Sequence, residues 1–447
     1  MALTGLEIYK LLPKTNCKKC GFPTCLAFAM QLAQKKVELS KCPDASEEAK
    51  KTLEGASAPP VKLVKIGAGA KTFQVGEETV LFRHDDRFYN QCGLAPRIPD
   101  NLSAAAMSET IEKIKQLHWM RVGMEIGVNL VALENASGSP DTFTNAAKTL
   151  SRSLDLPLIL QSDSAENLVA AGSVVKDKRP LIFAANSANF EVLAKFCKDA
   201  NLPLAVRGKD IEETADLTAR VKELGVAEQV IVAPYESVKE NLHFLTKVRR
   251  AALKKTFRPL GYPAAVCAYL AKGDSLDQLC DAAIYIAKYG GIVIINAFEN
   301  WEVLPLVTLR QNIYTNPQKP IAVEPKLYKI GEPNENSPLM FTTNFSLTYY
   351  TVEGEVEASR VPSYILAVNT EGLSVLTSYS GDKLNEKIVA KAMKDAGVEN
   401  IVKHRKLIIP GLVAVMSGKL EEETGWQVIV GPKEAAYIPK FLQTVWK

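Results

Sequence analysis

"RPLIFAANSANFEVLAKFCKDANLPLAVRG", residues 179–208, carries the pattern that decides the fold. Two apolar runs, "LIFAA" and "LPLAV", flank the amphipathic segment "NFEVLAKFCKDA". Because the runs do not alternate apolar with polar residues, each reads as a strand buried on both faces, and the segment between them as a helix returning to a parallel neighbour. The unit recurs on either side. "NLVALEN", "LPLILQS", "QVIVAP" and "GGIVIINA" are further apolar runs, separated by helical segments such as "SAENLVAAGSVVKD", "DIEETADLTARVKELG" and "SVKENLHFLTKVRRAALKK". Over about residues 93–320 this rhythm predicts a parallel sheet, and six to eight units fit a closed (β/α)8 TIM barrel better than an open sheet.

Outward from this core the rhythm changes. The polar, proline-containing "EPKLYKIGEPNENSP" (324–338) reads as a boundary. Beyond it, "NFSLTYYTVEGEVEAS" (344–359) reads as a β-hairpin, "SYILAVN", "HRKLIIPG" and "WQVIVG" as strands, and "GDKLNEKIVAKAMKDAG" and "KEAAYIPKFLQTVW" as helices. In the first of these helices Leu384, Ile388, Val389 and Ala392 share a face, with Lys383, Lys387, Lys391 and Lys394 towards the other. A compact Rossmann-like α/β domain results. On the N-terminal side, residues 61–90 alternate around glycines and suggest a hairpin, with "GAGAK" (67–71) as a turn that lacks the Gly-Lys-Ser/Thr ending of a phosphate loop. "EGASAPP" (54–60) reads as a linker, and residues 1–57 as a small helical module with Thr4 and Asp44 as N-caps. The expected organisation is therefore a module at 1–57, a barrel with its hairpin at 58–323, and an α/β domain at 324–447.

Composition excludes several functions. The 447 residues carry 54 basic and 50 acidic side chains, a net charge of +4, so no strong field draws nucleic acid or an acidic membrane. "MALTGLEIYKLLPK" turns polar too soon for a signal peptide, and no run of about 18 apolar residues occurs. A cytoplasmic protein is expected.

Four of the eight cysteines, Cys17, Cys20, Cys25 and Cys42, crowd the N-terminal module. In a large reduced chain such clustering points to metal rather than disulfides. The spacing Cys-x2-Cys-x4-Cys-x16-Cys, with Pro43 after the last thiol, suits an iron-sulfur cluster, and Gly21 and Pro23 suit a tight loop around it. A tetrahedral zinc remains open, although zinc usually takes closer pairs on both sides. A module this small has little core, so a metal staple makes physical sense. Cys92, Cys197, Cys267 and Cys280 read as packed thiols.

"NCKKCGFPTCLAFAMQLA" and "LAVNTEGLSVLTSYSGDKL", in this order of modules, resemble the large (gamma) subunit of the corrinoid iron-sulfur protein of the acetyl-coenzyme A synthase/carbon monoxide dehydrogenase (Wood-Ljungdahl) pathway. The resemblance spans essentially the whole chain. It implies a 4Fe-4S cluster on Cys17, Cys20, Cys25 and Cys42 and a corrinoid on the C-terminal domain, with a small subunit as heterodimeric partner. It also implies a carrier rather than a stand-alone enzyme: cobalt takes a methyl group from methyltetrahydrofolate through a separate methyltransferase and gives it to the nickel site of acetyl-CoA synthase. The cluster reduces Co(II) back to Co(I). The corrinoid contacts implied are Thr343, Ser346, Thr370, Glu371, Gly372, Leu373, Ser374, Val375, Thr377, Gly411, Gly431 and Pro432, with the lower face over the loop from Thr370 to Thr377.

The residues themselves give part of this. "VNTEGLS", "IIPGLVAVMSG" and "VIVGP" are small-residue loops after predicted strands, where ligands of open α/β sheets bind, and Gly372, Gly411 and Gly431 would allow close backbone approach. Plain turns are the other reading of the same glycines. None of His84, His118, His243 and His404 stands in an Asp-x-His-x-x-Gly context, so a bound corrinoid would lack a histidine ligand from this chain. In the barrel, Glu134, Asn135, Asp163, Arg207, Tyr235, Glu236, Asn296 and Glu299 follow strands and are the candidates for a competing reading, a pterin-dependent methyltransferase with an accessory Fe-S or zinc module. No acid/base pair stands out among them, and no catalytic residue is assigned. His243 reads as a helix-surface or packing residue, and "KVRRAALKK" (247–255) as a solvated helix face or a protein-docking segment.

Overall fold

The computed structural model describes residues 5–33, 37, 39–46, 59–270 and 273–446. Thr4, most of the "EGASAPP" linker and the helix expected after Asp44 lie outside the described residues. The chain divides into two compact units, Met1–His118 with Ile126–Tyr314 and Trp119–Glu125 with Thr315–Lys447.

In the first unit β1 (Val64–Ile66) and β2 (Phe73–Val75) form the expected antiparallel hairpin across the "GAGAK" turn. The barrel follows: β3 (Gly93–Pro99), then, after the separate two-stranded ribbon β4 (His118–Arg121) and β5 (Met124–Gly127), the strands β6 (Val131–Glu134), β7 (Leu158–Gln161), β8 (Leu181–Ala185), β9 (Leu204–Val206), β10 (Gln229–Val232), β11 (Ala264–Cys267) and β12 (Ile292–Ile295). All eight are parallel and close into a ring, β12 pairing back onto β3 through Val293 and Leu94. Two of them are absent from the six apolar runs. β3 is interrupted by Pro96, Arg97 and Pro99, and β11 is the small-residue stretch "AAVC". Strand alternation sends Ala95, Ala132, Ile159, Leu181, Ala205, Val230, Ala265 and Ile292 into the bore as a packed core. Several returning helices open on side chains that accept a hydrogen bond from their first turn, among them Ser139, Ser164, Asp210 and Asp274.

The helix Val238–Lys255 departs from expectation at one residue. Arg249 does not share the solvated face. It is 7 % exposed, sits 3.5 Å from the buried Glu78 carboxylate and lies over the rings of Phe88 and Tyr289. Cys92, Cys197 and Cys267 are buried, their thiols pushed up to about 12, 12 and 11 by burial, whereas Cys280 is exposed on its helix and is not a packed thiol. Among the described residues, no helix is long and apolar enough to cross a membrane.

In the second unit β13 (Leu327–Ile330), β14 (Leu339–Thr343), β15 (Ser363–Val368), β16 (Lys406–Ile409) and β17 (Gln427–Val430) lie in the order β13-β15-β14-β16-β17. The last four are parallel, and β13, hidden in the polar boundary stretch, is an antiparallel edge. Alternate residues feed two cores. Phe341, Leu366, Leu407 and Ile409 pack on one face of the sheet, and Met340, Ile365, Ala367 and Ile408 on the other. The stretch expected as a hairpin at 344–359 is instead the helix Ser346–Ser359. Its threonines, tyrosines and valines favour strands locally, but Tyr349, Val356 and Ser359 fall on one helical face and are buried, so packing overrides propensity. Gly123, in the ribbon turn at φ +66, lies so close to Tyr350 that a Cβ there would collide with the ring.

Arg249→Ala should lower stability by about 3–5 kcal/mol, because it leaves the Glu78 carboxylate buried without its counter-charge, with only the Tyr89 and Asn90 backbone N–H groups beside it. Burial already pushes the Glu78 carboxyl up, so its charged form is the one that destabilises the fold. Urea unfolding of the variant should therefore show its deficit in full at neutral pH, shrinking as acid neutralises Glu78.

Candidate functional site

The four N-terminal thiols sit around one loop. It enters from the helix Gly5–Leu11 and leaves into the helix Cys25–Ala33. Left-handed backbone at Asn16, Lys18 and Gly21 folds it back, the Gly21 N–H donating to the Lys18 carbonyl at 2.9 Å. The Asn16 side chain accepts from the Cys25 N–H at 2.8 Å, and Thr24 caps the helix by accepting from the Ala27 N–H. Cys17 is exposed, Cys20 half-buried, and Cys25 and Cys42 buried. The last two belong to the small core with Ile8, Leu12, Phe28 and Leu32. Burial is the main force pushing the Cys42 thiol up, and negative charge on Cys20, Cys25 and Cys17 would add to it. Lys19 and Asp44 pair at 3.1 Å across the loop. Among the described residues, no three Cys, His, Asp or Glu side chains are gathered for a single metal ion. The donor set itself, four thiols on one loop and its neighbouring turn, fits a cluster that spreads them over several irons.

The second unit offers a cavity. The chain runs β14, β15, then crosses to β16 on the far side of β14, so the sheet has its switch point between β14 and β16, where open α/β sheets bind ligands. An apolar cavity of about 260 Å³ opens there, walled by Phe341, Thr342, Ile409, Leu412, Pro432 and Phe441. Thr342 and Thr343, at the end of β14, are buried, and among the described residues their hydroxyls have no hydrogen-bond partner.

Of the residues predicted for this site, Val375, Gly431 and Pro432 line the cavity. Thr343, Ser346, Thr370 and Gly372 are buried beside it without being among its walls. Glu371 points outward to Lys383 at 2.7 Å, Leu373 donates its N–H to the Thr370 carbonyl, and Ser374 and Thr377 join hydroxyls at 2.9 Å. Gly411 and Gly431 are required by packing, since a Cβ on Gly411 would stand 2.5 Å from the Gly431 carbonyl oxygen, and the two loops can meet only without side chains.

Sequence reasoning missed Asn344. Its Oδ1 accepts from the Thr370 N–H at 2.9 Å, the Thr370 hydroxyl at 3.1 Å and the Gly372 N–H at 3.1 Å, which fixes the 370–372 turn although Glu371 and Gly372 are both left-handed. Thr342, Leu412 and Phe441 were also missed. Only the polar pair after an apolar strand, "TTN", could have signalled the first. His404 lies at the start of β16, the opposite end of the sheet, with its ring nitrogens engaged by the Ser337 carbonyl and the Lys406 N–H.

Several of the barrel's strand-end candidates are held in pairs within the barrel. Glu134 pairs with Arg97, which stacks on Tyr269, and Asp163 pairs with Arg207. Asn135 links Asp100, Ser162 and Asn167, and Glu299 takes Lys113 at 2.9 Å. Tyr235 is held at its backbone by Asn241. Asn296 is exposed after β12, and Glu236 lines an open surface groove with Cys280.

A thiol-rich module, a closed barrel and a doubly wound unit with a strand-end cavity define a multidomain class with two separate candidate cofactor sites. The chain belongs to the CO dehydrogenase/acetyl-CoA synthase delta subunit family, whose model matches residues 63–442. A model for an Fe-S cluster matches residues 12–43, the segment of the four thiols. The corrinoid/iron-sulfur protein large subunit of Moorella thermoacetica is 44% identical over 99% of this chain and 98% of its own length. The gamma subunits of the acetyl-CoA decarbonylase/synthase complexes of Methanothermobacter thermautotrophicus and Methanopyrus kandleri are 37% and 33% identical, each over 99% of this chain and over 99% and 97% of their own lengths. Among solved structures, the dihydropteroate synthase of Vibrio fischeri matches 56% of this chain and 97% of its own at 14% identity and a TM-score of 0.39, too low to bear on function.

Asn344→Ala should strip the 370–372 turn of its acceptor and cost about 1–3 kcal/mol for the buried N–H groups left unpaired. Hydrogen exchange should then show faster exchange at Thr370 and Gly372 while the strands keep their protection.

Proposed function

We propose that this chain is a corrinoid iron-sulfur methyl carrier of the CO dehydrogenase/acetyl-CoA synthase system, paired with a small partner subunit. Cys17, Cys20, Cys25 and Cys42 would ligate a 4Fe-4S cluster, and the unit spanning 315–447 would seat the corrinoid. When bound, these groups supply a cobalt that carries a methyl group from methyltetrahydrofolate, through a separate methyltransferase, to the nickel of acetyl-CoA synthase, and an electron that restores the cobalt after oxidation. The observation that carries the reading is the cavity at the β14/β16 switch point, in a chain similar along its whole length to a corrinoid/iron-sulfur protein large subunit.

The chain's own residues do three things in this reading. At about 260 Å³ the cavity can take one flat heterocyclic base but not a corrin ring, which would rest outside it, where the cavity wall residue Leu412 and the further apolar side chains Leu376 and Val415 are exposed, the last 75 %. Thr342 would offer its unpartnered hydroxyl to a nitrogen of that base, since a buried hydroxyl gains most from a partner. The loop from Thr370 to Thr377, held by Asn344, would lie under the ring with its one carboxylate, Glu371, turned away to Lys383, and His404 is at the wrong end of the sheet to ligate. Without a strong axial donor the low-valent metal is easier to reach, by the reasoning that applies to haem. The barrel reading has less support, because Glu134, Asn135 and Asp163 at its strand ends are taken up by internal pairs.

Metal analysis of the anaerobically purified heterodimer tests this. About four irons and one cobalt per heterodimer are expected, from one cubane and one corrinoid. Cys42→Ser should lose iron and keep cobalt, and Thr351→Trp, which fills the cavity from a helix surface position, should lose cobalt and keep iron. Zinc in place of iron would make the thiol loop a structural staple, and iron without cobalt would move the chemistry to the barrel.

A further inference from the structure

The helix Val238–Lys255 carries a feature that methyl transfer leaves unused. Lys239, His243, Lys247, Arg250 and Lys254 follow one another at helical intervals, so they form one stripe, and all five are exposed. At 1.5 Å per residue the stripe is roughly 22 Å long. Its last four members line an open groove of about 730 Å³ whose other walls include Ile211, Leu242 and Ala251, with Glu212 as its one acidic residue.

Helix stability does not explain this stripe. Cations favour a helix near its C-terminal end, where Lys254 stands, but Lys239 is in the first turn and opposes the helix dipole. Elsewhere the chain pairs helix-surface cations with carboxylates one turn away, as in Lys113 with Glu109 and Arg220 with Asp216. Among the described residues, no carboxylate forms an ion pair with Lys239, Lys247, Arg250 or Lys254. Lys254 rests over the Phe82 ring at 6.0 Å, a contact that leaves its charge uncompensated, as the charges of Lys239, Lys247 and Arg250 are among the described residues.

We infer that this groove docks an acidic amphipathic helix of a protein partner. Its carboxylates would match the stripe, and its apolar side chains would meet Ile211, Leu242 and Ala251. The apolar floor and Glu212 favour a protein over a polyphosphate, which would use neither, and the near-neutral chain as a whole gives no general attraction for polyanions. Such a stripe acts mainly on the rate and selectivity of encounter.

The choice of partners for the test rests on the functional reading above. Association of the wild-type heterodimer with purified methyltetrahydrofolate methyltransferase and with acetyl-CoA synthase is measured by biolayer interferometry at low and high salt. The measurement is repeated for K247E/R250E/K254E, and for K176E/K195E/K222E as a control of equal charge change on other exposed lysines. The stripe variant should associate with one of the two enzymes at least about tenfold more slowly at low salt, and the salt dependence should flatten, while the control stays near wild type. Equal rates for the stripe variant and the control with both enzymes would overturn the proposal. So would a stripe variant that loses only heparin binding, which would mark a polyanion site. Wild-type protein that binds neither enzyme contradicts the functional reading and removes the docking proposal with it.

Discussion

Parallel strands must be covered on both faces, because their connections return as helices and neither side is left to water. Both units obey that constraint, and it confines chemistry to one place, the carboxyl ends of the strands. In the barrel the ends converge on a ring, where guanidinium meets carboxylate and amide meets amide: Arg97 with Glu134, Arg207 with Asp163, Asn135 with Asn167. In the second unit the chain reverses direction across β14, and the ends stay apart. The space between them is apolar, and the buried Thr342 hydroxyl on its wall has no hydrogen-bond partner among the described residues. The same physics gives a closed scaffold in one unit and an open seat in the other.

The N-terminal module shows the opposite economy. Its core is a handful of side chains, two of them thiols, so packing alone has little with which to hold it. A cluster on the four cysteines would stabilise the fold and perform electron transfer with the same bonds. That coupling accounts for cysteines that are partly core and partly surface, with Cys25 and Cys42 buried and Cys17 exposed.

Much of this is legible in the sequence, for identifiable reasons. Strands such as "LIFAA" and "LILQ" are buried on both faces and read as unbroken apolar runs, so the barrel is visible; β3 escapes because prolines and an arginine interrupt it, and β11 because "AAVC" has small residues where the others carry large aliphatic ones, though closure needs both. The helix Ser346–Ser359 reads as a hairpin because its strand-forming residues are local facts, whereas the burial of Tyr349 and Val356 is a tertiary one. The four thiols are found by spacing alone. The cavity is found only at its glycine and proline edge; Thr342, Leu412 and Phe441 carry no local sign that they face one space, and Asn344 acts through backbone groups about 26 residues away, which no single stretch displays.

The central claim is that the strand-end cavity of the second unit holds the corrinoid by its base, leaving the cobalt without a nitrogen ligand. The electron paramagnetic resonance spectrum of the heterodimer, poised so that cobalt is Co(II), tests it most directly. The account predicts a cobalt signal free of nitrogen splitting in the wild type, and loss of that signal when Thr351→Trp fills the cavity. A signal split by one nitrogen would put a base or an imidazole on the metal, and would contradict both the seat and the way it works.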